Sequence, residues 1–287
     1  MKGPKLFQNH EGKPALEKSF CVFMDVLGFE AKQLASIKAG SAEAEFQRFY
    51  GTVSRELQGL NATADDPANA PWRLKVFTDN IVIGYPLRDN HAESVICEVT
   101  QRISQYQLRM ARDGYFVRGG LASGTLFMDE YLAYGPALLE AYRLEHEVAR
   151  DPRIVISKEV RSLVEAHFCY YTLPQNAPQN RAFLLDPDGQ LFLNYLYGCF
   201  EPLQSGGPAD TETLLIHKEH IEKGLMDYSG DSRVWAKYAW LASYHNFIIH
   251  ENLGSVGLSS QYLVSNTLHR TSPVRIVPFL IPSRNLE

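Results

Sequence analysis

Apolar residues along this chain fall into short unbroken runs that suit buried strands and longer three- and four-residue recurrences that suit helices. The first run, Phe20-Cys21-Val22-Phe23-Met24, ends at Asp25 and Gly28 and predicts a buried strand followed by a turn. From about Glu30 to Leu60 the recurrence of Phe46, Phe49, Tyr50, Val53 and Leu57 predicts helix. The polar stretch from Asn61 to Ala70, with Pro67, reads as a loop. Two strands then flank Thr78-Asp79-Asn80, a tight turn that would leave Asp79 at a hairpin tip. Helical periodicity returns around 91–112, and a glycine-rich strand follows at Tyr115–Leu126. Gly135-Pro136 opens a helix carrying Ala137, Leu138, Ala141, Leu144 and Val148, with proline at a first-turn position where its missing N–H costs little. Ile154-Val155-Ile156 is a buried strand by composition.

This order predicts an α+β, ferredoxin-like (βααββαβ) core over residues 1–175, with an antiparallel sheet and helices on one face. Residues 176–287 read as a C-terminal extension packed on the core. Within it, Phe183-Leu184-Leu185 and Leu191-Phe192-Leu193 flank Asp186-Pro187-Asp188-Gly189, a strong hairpin signal. Residues 202–212 are rich in glycine and proline and suggest a linker, and Ser232–Asn252 is an aromatic-rich amphipathic helix.

At 45% hydrophobic and 21% charged residues, the 287-residue chain can build a sizeable core. A formal charge of −5 argues against a broad basic face for nucleic acid. Cys21, Cys97, Cys169 and Cys199 are scattered, without the C-x-x-C spacing of a zinc site, as expected of free thiols in a reducing compartment. The first ten residues carry no signal core, and no apolar run reaches the ~18 residues of a membrane span. The expectation is a soluble cytoplasmic protein that binds neither membrane nor nucleic acid.

Two acidic residues break apolar surroundings: Asp25 after Phe20–Met24, and Asp79 within Leu74–Ile83. A carboxylate at the end of a buried strand is costly unless something pairs with it. An Asp can simply cap a turn or a helix. Two such strands lifting one Asp each to the same sheet edge could instead share Mg²⁺ or Mn²⁺, hard cations that keep several waters and bind substrate phosphates. The Val26-Leu27-Gly28-Phe29 turn before a helix could offer backbone N–H groups to phosphates. No G-x-S-x-G or G-x-x-x-x-G-K-[ST] motif occurs.

Taken in order, Phe23-Met24-Asp25-Val26-Leu27-Gly28-Phe29, Lys75 four residues before Asp79, Arg118-Gly119-Gly120-Leu121-Ala122-Ser123-Gly124, Gly135 with Arg143 eight residues on, and Pro152-Arg153-Ile154 resemble the class III nucleotidyl cyclase catalytic domain. The resemblance covers roughly residues 18–175 and has no counterpart for the remainder. It implies two Mn²⁺ or Mg²⁺ ions held by Asp25, Asp79 and the Val26 carbonyl. It also implies triphosphate binding at Leu27, Gly28 and Phe29, and base contacts from Lys75 and Tyr50. Arg143 would stabilise the charge that develops during transfer. One chain of a homodimer would supply the Asp pair and its partner the arginine, giving composite sites.

The family's second purine-reading position falls on Leu132 and its ribose-orienting position on Leu139. The run Tyr134–Glu145 is similar to the bacterial antiphage pyrimidine cyclases of the Pycsar system. That resemblance implies conversion of UTP, or CTP, to the 3′,5′-cyclic monophosphate and pyrophosphate, the product being read by a separate effector protein. A purine cyclase and a degenerate cyclase acting as nucleotide sensor are the competing readings. A diguanylate cyclase would need an acidic-acidic-Phe run where Leu121-Ala122 follows Gly119-Gly120.

Overall fold

The structure, a computed structural model, describes residues 6–61, 71–87, 92–254, 256–265 and 273–275. Most of the polar loop expected before residue 71 lies outside the described residues. Strand β1 (Glu17–Val26) runs mid-sheet, so its unbroken apolar stretch is buried on both faces. Gly28, at φ 71°, turns the chain into α1 (Phe29–Lys38). Gly40, at φ 68°, separates α1 from α2 (Ala42–Asn61), the two helices of the stretch expected to be helical over 30–60. The hairpin of β2 (Arg73–Phe77) and β3 (Asn80–Pro86) closes with Phe77 opposite Asn80, which puts Thr78 and Asp79 at its tip. Then come α3 (Ala92–Arg112), β4 (Val117–Met128), the short β5 (Ala133–Tyr134) and α4 (Pro136–Arg143), which runs into one π-helical turn, Leu144–Val148. The chain continues through β6 (Ile154–Ile156), α5 (Lys158–His167), α6 (Gln179–Ala182) and the hairpin β7 (Phe183–Leu185) and β8 (Leu191–Leu193). A 3₁₀ run over Tyr195–Ser205 leads into α7 (Thr211–Asp227) and α8 (Ser232–Asn252). The stretch expected as a linker over 202–212 is thus largely a helical end and a helix start.

The strands form one sheet in the order β2-β3-β1-β4-β6-β8-β7, with β5 paired to β4. Every pairing is antiparallel except β4 with β6, so the protein is α+β with a mixed sheet. The 183–193 hairpin extends the same sheet through Val155 opposite Phe192.

Helices cover both faces, not one. Phe20, Val22 and Met24 of β1 share a core with α2, α3 and α5, whereas Cys21 and Phe23 share one with α4, α7 and α8. Glycines on β4 make the second layer possible. A Cβ on Gly120 would lie 2.3 Å from the Ala141 carbonyl oxygen, and one on Gly124 3.3 Å from the Ala137 nitrogen, so α4 rests directly on the strand. Arg153, in the Pro152-Arg153-Ile154 run, is almost wholly buried and pairs with Asp186 and Asp188 of the β7–β8 turn. Trp240 Nε1 of α8 donates to the same Asp186 at 2.7 Å. This arginine fastens β6 to the hairpin and α8.

Between α7 and α8 a buried polar chain has its protons fixed by one acceptor. The Tyr262 carbonyl only accepts, so His245 Nε2, 2.9 Å away, carries a hydrogen. His245 Nδ1 therefore accepts from His217 Nδ1 at 3.0 Å, and His217 Nε2 accepts from the Tyr195 hydroxyl at 2.8 Å. Burial pushes His217 well below the usual histidine range and His245 down to about 4. Both are neutral in the fold and protonated more readily once it opens. Stability should therefore be full well above pH 6.5 and fall as the pH drops toward 4, by about 1.5 kcal/mol for His245 between pH 6.5 and 5, with His217 acting in the same direction. Denaturant titrations across that window should give a shallower slope for His245→Gln than for the wild type; parallel slopes would contradict the assignment. Gly120→Ala should cost about 1–3 kcal/mol by pushing α4 off β4, read in the same titration.

Candidate active site

The site grows from two strand ends. Asp25 is the penultimate residue of β1, and Asp79 sits on the adjacent hairpin because β1 pairs with β3. The two carboxyl groups are close enough for Asp25 to perturb the ionisation of Asp79. Burial raises the Asp79 carboxyl to about 6, and Asp25 adds to the rise. Two carboxylates this close share a proton or need a cation between them.

The hairpin tip is built to hold Asp79. Thr78 adopts φ 55°, a strained conformation for a β-branched residue. Its hydroxyl lies 2.6 Å from the Phe77 carbonyl and 3.0 Å from Asp79 Oδ1, and Asn80 Nδ2 lies 3.4 Å from the same carboxylate oxygen.

Asp25 is held from the other side. Arg118 stands directly opposite it in the β1–β4 register and donates from Nε to Asp25 Oδ2 at 3.0 Å. The far end of that guanidinium lies 2.8 Å from Glu145 Oε1, an ion pair with a carboxylate on the π-helical turn. Burial pushes the Glu145 carboxyl up, Arg118 pulls it back, and Asp25 adds to the rise. Burial lowers the ammonium pKa of Lys237 on α8, with Arg118 adding to the fall and Asp25 opposing it, so α8 brings a second cation to this end of the sheet.

The other expected residues are placed as follows. Leu27 is buried and its N–H donates to the Phe116 carbonyl at 2.8 Å, so it is not free for phosphate. Gly28 and Phe29 open α1, whose first turn has no side-chain cap, and Phe29 packs on Phe49 at 4.7 Å between ring centres. Val26 ends β1 opposite Val117. Lys75 Nζ donates to the Glu130 carbonyl at 3.1 Å, bridging β2 to the turn after β4 rather than reaching the Asp pair. Tyr50 is 58% exposed and stacks on Phe46, while its neighbour Phe49 is the core residue. Arg143 lies on the solvent side of α4, not on its packing face. It makes a two-pronged pair with Glu140 at 2.7 and 2.8 Å and lies 3.6 Å from Glu147. The structure thus brings Asp25 and Asp79 together and leaves Lys75, Tyr50 and Arg143 of the same chain apart from them.

Arg118, Glu145, Thr78, Asn80 and Lys237 were not identified as site residues from the sequence. For Arg118 the sequence signal was its place at the head of the Arg118-Gly119-Gly120-Leu121-Ala122-Ser123-Gly124 run, which pointed to no role for its side chain. Among the described residues no group of three or more His, Cys, Asp or Glu side chains is arranged to hold a metal. The donors present are two carboxylates and backbone oxygens, which suit a hard cation that completes its shell with water and phosphate. No helix among the described residues is long and apolar enough to cross a membrane. The chain matches no known family model and no curated protein.

The raised carboxyl has a stability consequence. Folded Asp79 takes up its proton near 6 rather than 3.8, so it supports the fold at low pH and weakens it as the pH rises through about 6. At pH 7.5 without divalent cations, Asp79→Asn should raise the melting temperature by roughly 2–4 °C, about 1 kcal/mol after allowing for solvent screening. Millimolar Mn²⁺ should raise it in the wild type and not in the variant. A variant no more stable than the wild type, or equally stabilised by Mn²⁺, would refute the paired-carboxylate reading.

Proposed function

We propose that the protein is a pyrimidine nucleotide cyclase that converts UTP, or CTP, to the 3′,5′-cyclic monophosphate and pyrophosphate, a second messenger in antiphage defence read by a separate effector. The observation that carries this reading is the juxtaposition of Asp25 and Asp79, delivered from β1 and from the β2–β3 hairpin to one sheet edge, where Asp25 perturbs Asp79. The strand order β2-β3-β1-β4, with α3 crossing back between β3 and β4, supports the ferredoxin-like core expected for such an enzyme.

In the reaction the 3′-oxygen attacks the α-phosphorus, the bond to the β-phosphate breaks, pyrophosphate leaves, and the 3′-hydroxyl proton passes to solvent. Asp25, Asp79 and the Val26 carbonyl would hold Mg²⁺ or Mn²⁺, which supplies activation of the attacking oxygen and neutralisation of the leaving one. Arg118 orients Asp25 and is itself oriented by Glu145. The N–H groups of Gly28 and Phe29 at the start of α1 receive phosphate oxygens.

Arg143 has its charge matched by Glu140 and Glu147 on its own helix, outside the carboxylate site. It acts on the site of a second copy. The exposure of Phe77 at the hairpin tip, of Tyr131, Leu132 and Tyr134 after β4, and of Leu139 and Tyr142 on α4 favours such a homodimer, which would cover them. Leu132 and Leu139 offer no partners to a purine or a ribose, which favours a one-ring base.

Incubation with Mn²⁺ and each ribonucleoside triphosphate in turn, followed by product identification, should yield cyclic UMP or cyclic CMP fastest. Faster cyclisation of ATP or GTP would make the protein a purine cyclase, and no turnover of any nucleotide would favour a sensor. Asp79→Asn and Arg143→Ala homodimers should each lose at least 10²-fold in kcat. Their coexpressed heterodimer should regain activity at one site, and a heterodimer as inactive as its parents would exclude action of the arginine across the interface.

A further inference from the structure

Side chains alternate across β1, so Asp25 lies on the face of Cys21 and Phe23, the face that α4, α7 and α8 cover. Arg118 shares the same face of β4 with Gly120, on which α4 rests. The acidic site therefore belongs to the layer that the C-terminal extension completes.

Helix α8 meets this end of the sheet through a ring contact. Tyr238 packs edge-on against Phe116 with ring centres 5.8 Å apart, and the Phe116 carbonyl accepts from the Leu27 N–H at 2.8 Å. Phe116 stands two residues before Arg118 and Leu27 two after Asp25, so the residue before Tyr238, Lys237, enters beside the Arg118–Asp25 pair. Arg118 and Asp25 act electrostatically on the half-buried Lys237 ammonium, and that ammonium acts on the Glu145 carboxyl. Arg233 and Asp151 act on it as well, with opposite signs. Among the described residues Lys237 nonetheless makes no hydrogen bond and no ion pair. A lysine kept only as a counter-charge for Asp25 or Glu145 would pair with one of them, as Arg118 does with both.

The site sets three carboxyl groups, Asp25, Asp79 and Glu145, against one guanidinium. A polyphosphate adds further negative charge, so it enters only where more cations meet it. Metal ions are one source, and Lys237 is another that the chain itself supplies. We propose that Lys237 contacts the polyphosphate of the bound nucleoside triphosphate, so that the C-terminal extension forms the phosphate-recognising wall of the site. An ammonium on a flexible stem, with three donors to turn, suits the non-bridging oxygens of a phosphate. Helix α8 lies beyond residues 18–175, so this role is not implied by the resemblance of that stretch. The identity of the ligand rests on the cyclase reading.

Calorimetry of the full chain with inorganic triphosphate and Mg²⁺ tests the contact, since this probe carries the recognised group without a base or an attacking hydroxyl. The wild type should bind it with sub-millimolar affinity. Lys237→Met, which keeps the stem and removes the charge, should weaken binding about tenfold or more, and Lys237→Arg should stay within about threefold of the wild type. Lys237→Gln serves if the methionine variant folds poorly. Mn²⁺ alone should raise the melting temperature of Lys237→Met at least as much as that of the wild type, because the lysine repels a second cation. A lysine that only props the carboxylates in place would make that rise smaller on removal. The proposal fails if the wild type leaves triphosphate unbound at millimolar concentration, or if both neutral variants bind it as tightly as the wild type. A wild type that binds triphosphate through Lys237 yet cyclises no nucleotide would overturn the cyclase reading and keep the contact.

Discussion

The candidate site depends on the absence of one side chain. Because Gly120 has no Cβ, the backbone of α4 settles onto β4 with the Ala141 carbonyl where that atom would stand. That contact fixes the π-helical turn following α4, and the turn delivers Glu145 to Arg118. Arg118, one register position from the same glycines, then meets Asp25 across the β1–β4 ladder, and Asp25 meets Asp79 across the hairpin. An extra residue in a helical turn commonly marks a functional site, and here it has a definite effect. The widened turn buries Glu145, and with it Leu144.

How much of this was legible in the sequence varied with the kind of signal. β1 was readable because a strand buried on both faces is a continuous apolar run, and the same run should have warned that helices cover both sides. The hairpin at Asp79, the 183–193 hairpin and α8 were readable from turn residues and periodicity. Helix α7 was not, for a physical reason. Its buried stripe is Thr213, Leu214, His217, Ile221 and Gly224, of which only two are apolar. His217 stands in that stripe because its polarity is satisfied by Tyr195 and His245, and Gly224 because the Tyr238 ring fills its space.

Within the site, the carboxylates were legible because a charged residue at the end of an apolar run has few uses. Their supports were not. Arg118 and Asp25 are 93 residues apart, and only the β1–β4 register makes them neighbours. Arg143 shows the reverse case. Its motif spacing is legible, yet α4 buries Ala137 and Ala141 and turns Tyr142 and Arg143 outward, away from the site of its own chain.

The charges explain why this end of the sheet calls for a positive ligand. Arg118 is shared between Asp25 and Glu145, so one guanidinium faces two carboxylates. Lys237 contributes field without a direct bond to either, and its own ammonium is disfavoured by burial and by Arg118. Asp79 is left with Thr78 and Asn80, neutral groups that orient it without neutralising it. Near neutral pH the arrangement is therefore short of positive charge beside the two carboxyls. A proton meets that need below about 6. The strained turn at Thr78 has the same logic, since backbone strain that brings like charges together persists only where the surrounding structure over-determines it. The ladder of β2 with β3 and of β3 with β1 supplies that constraint, and it keeps the Asp79 turn beside the end of β1.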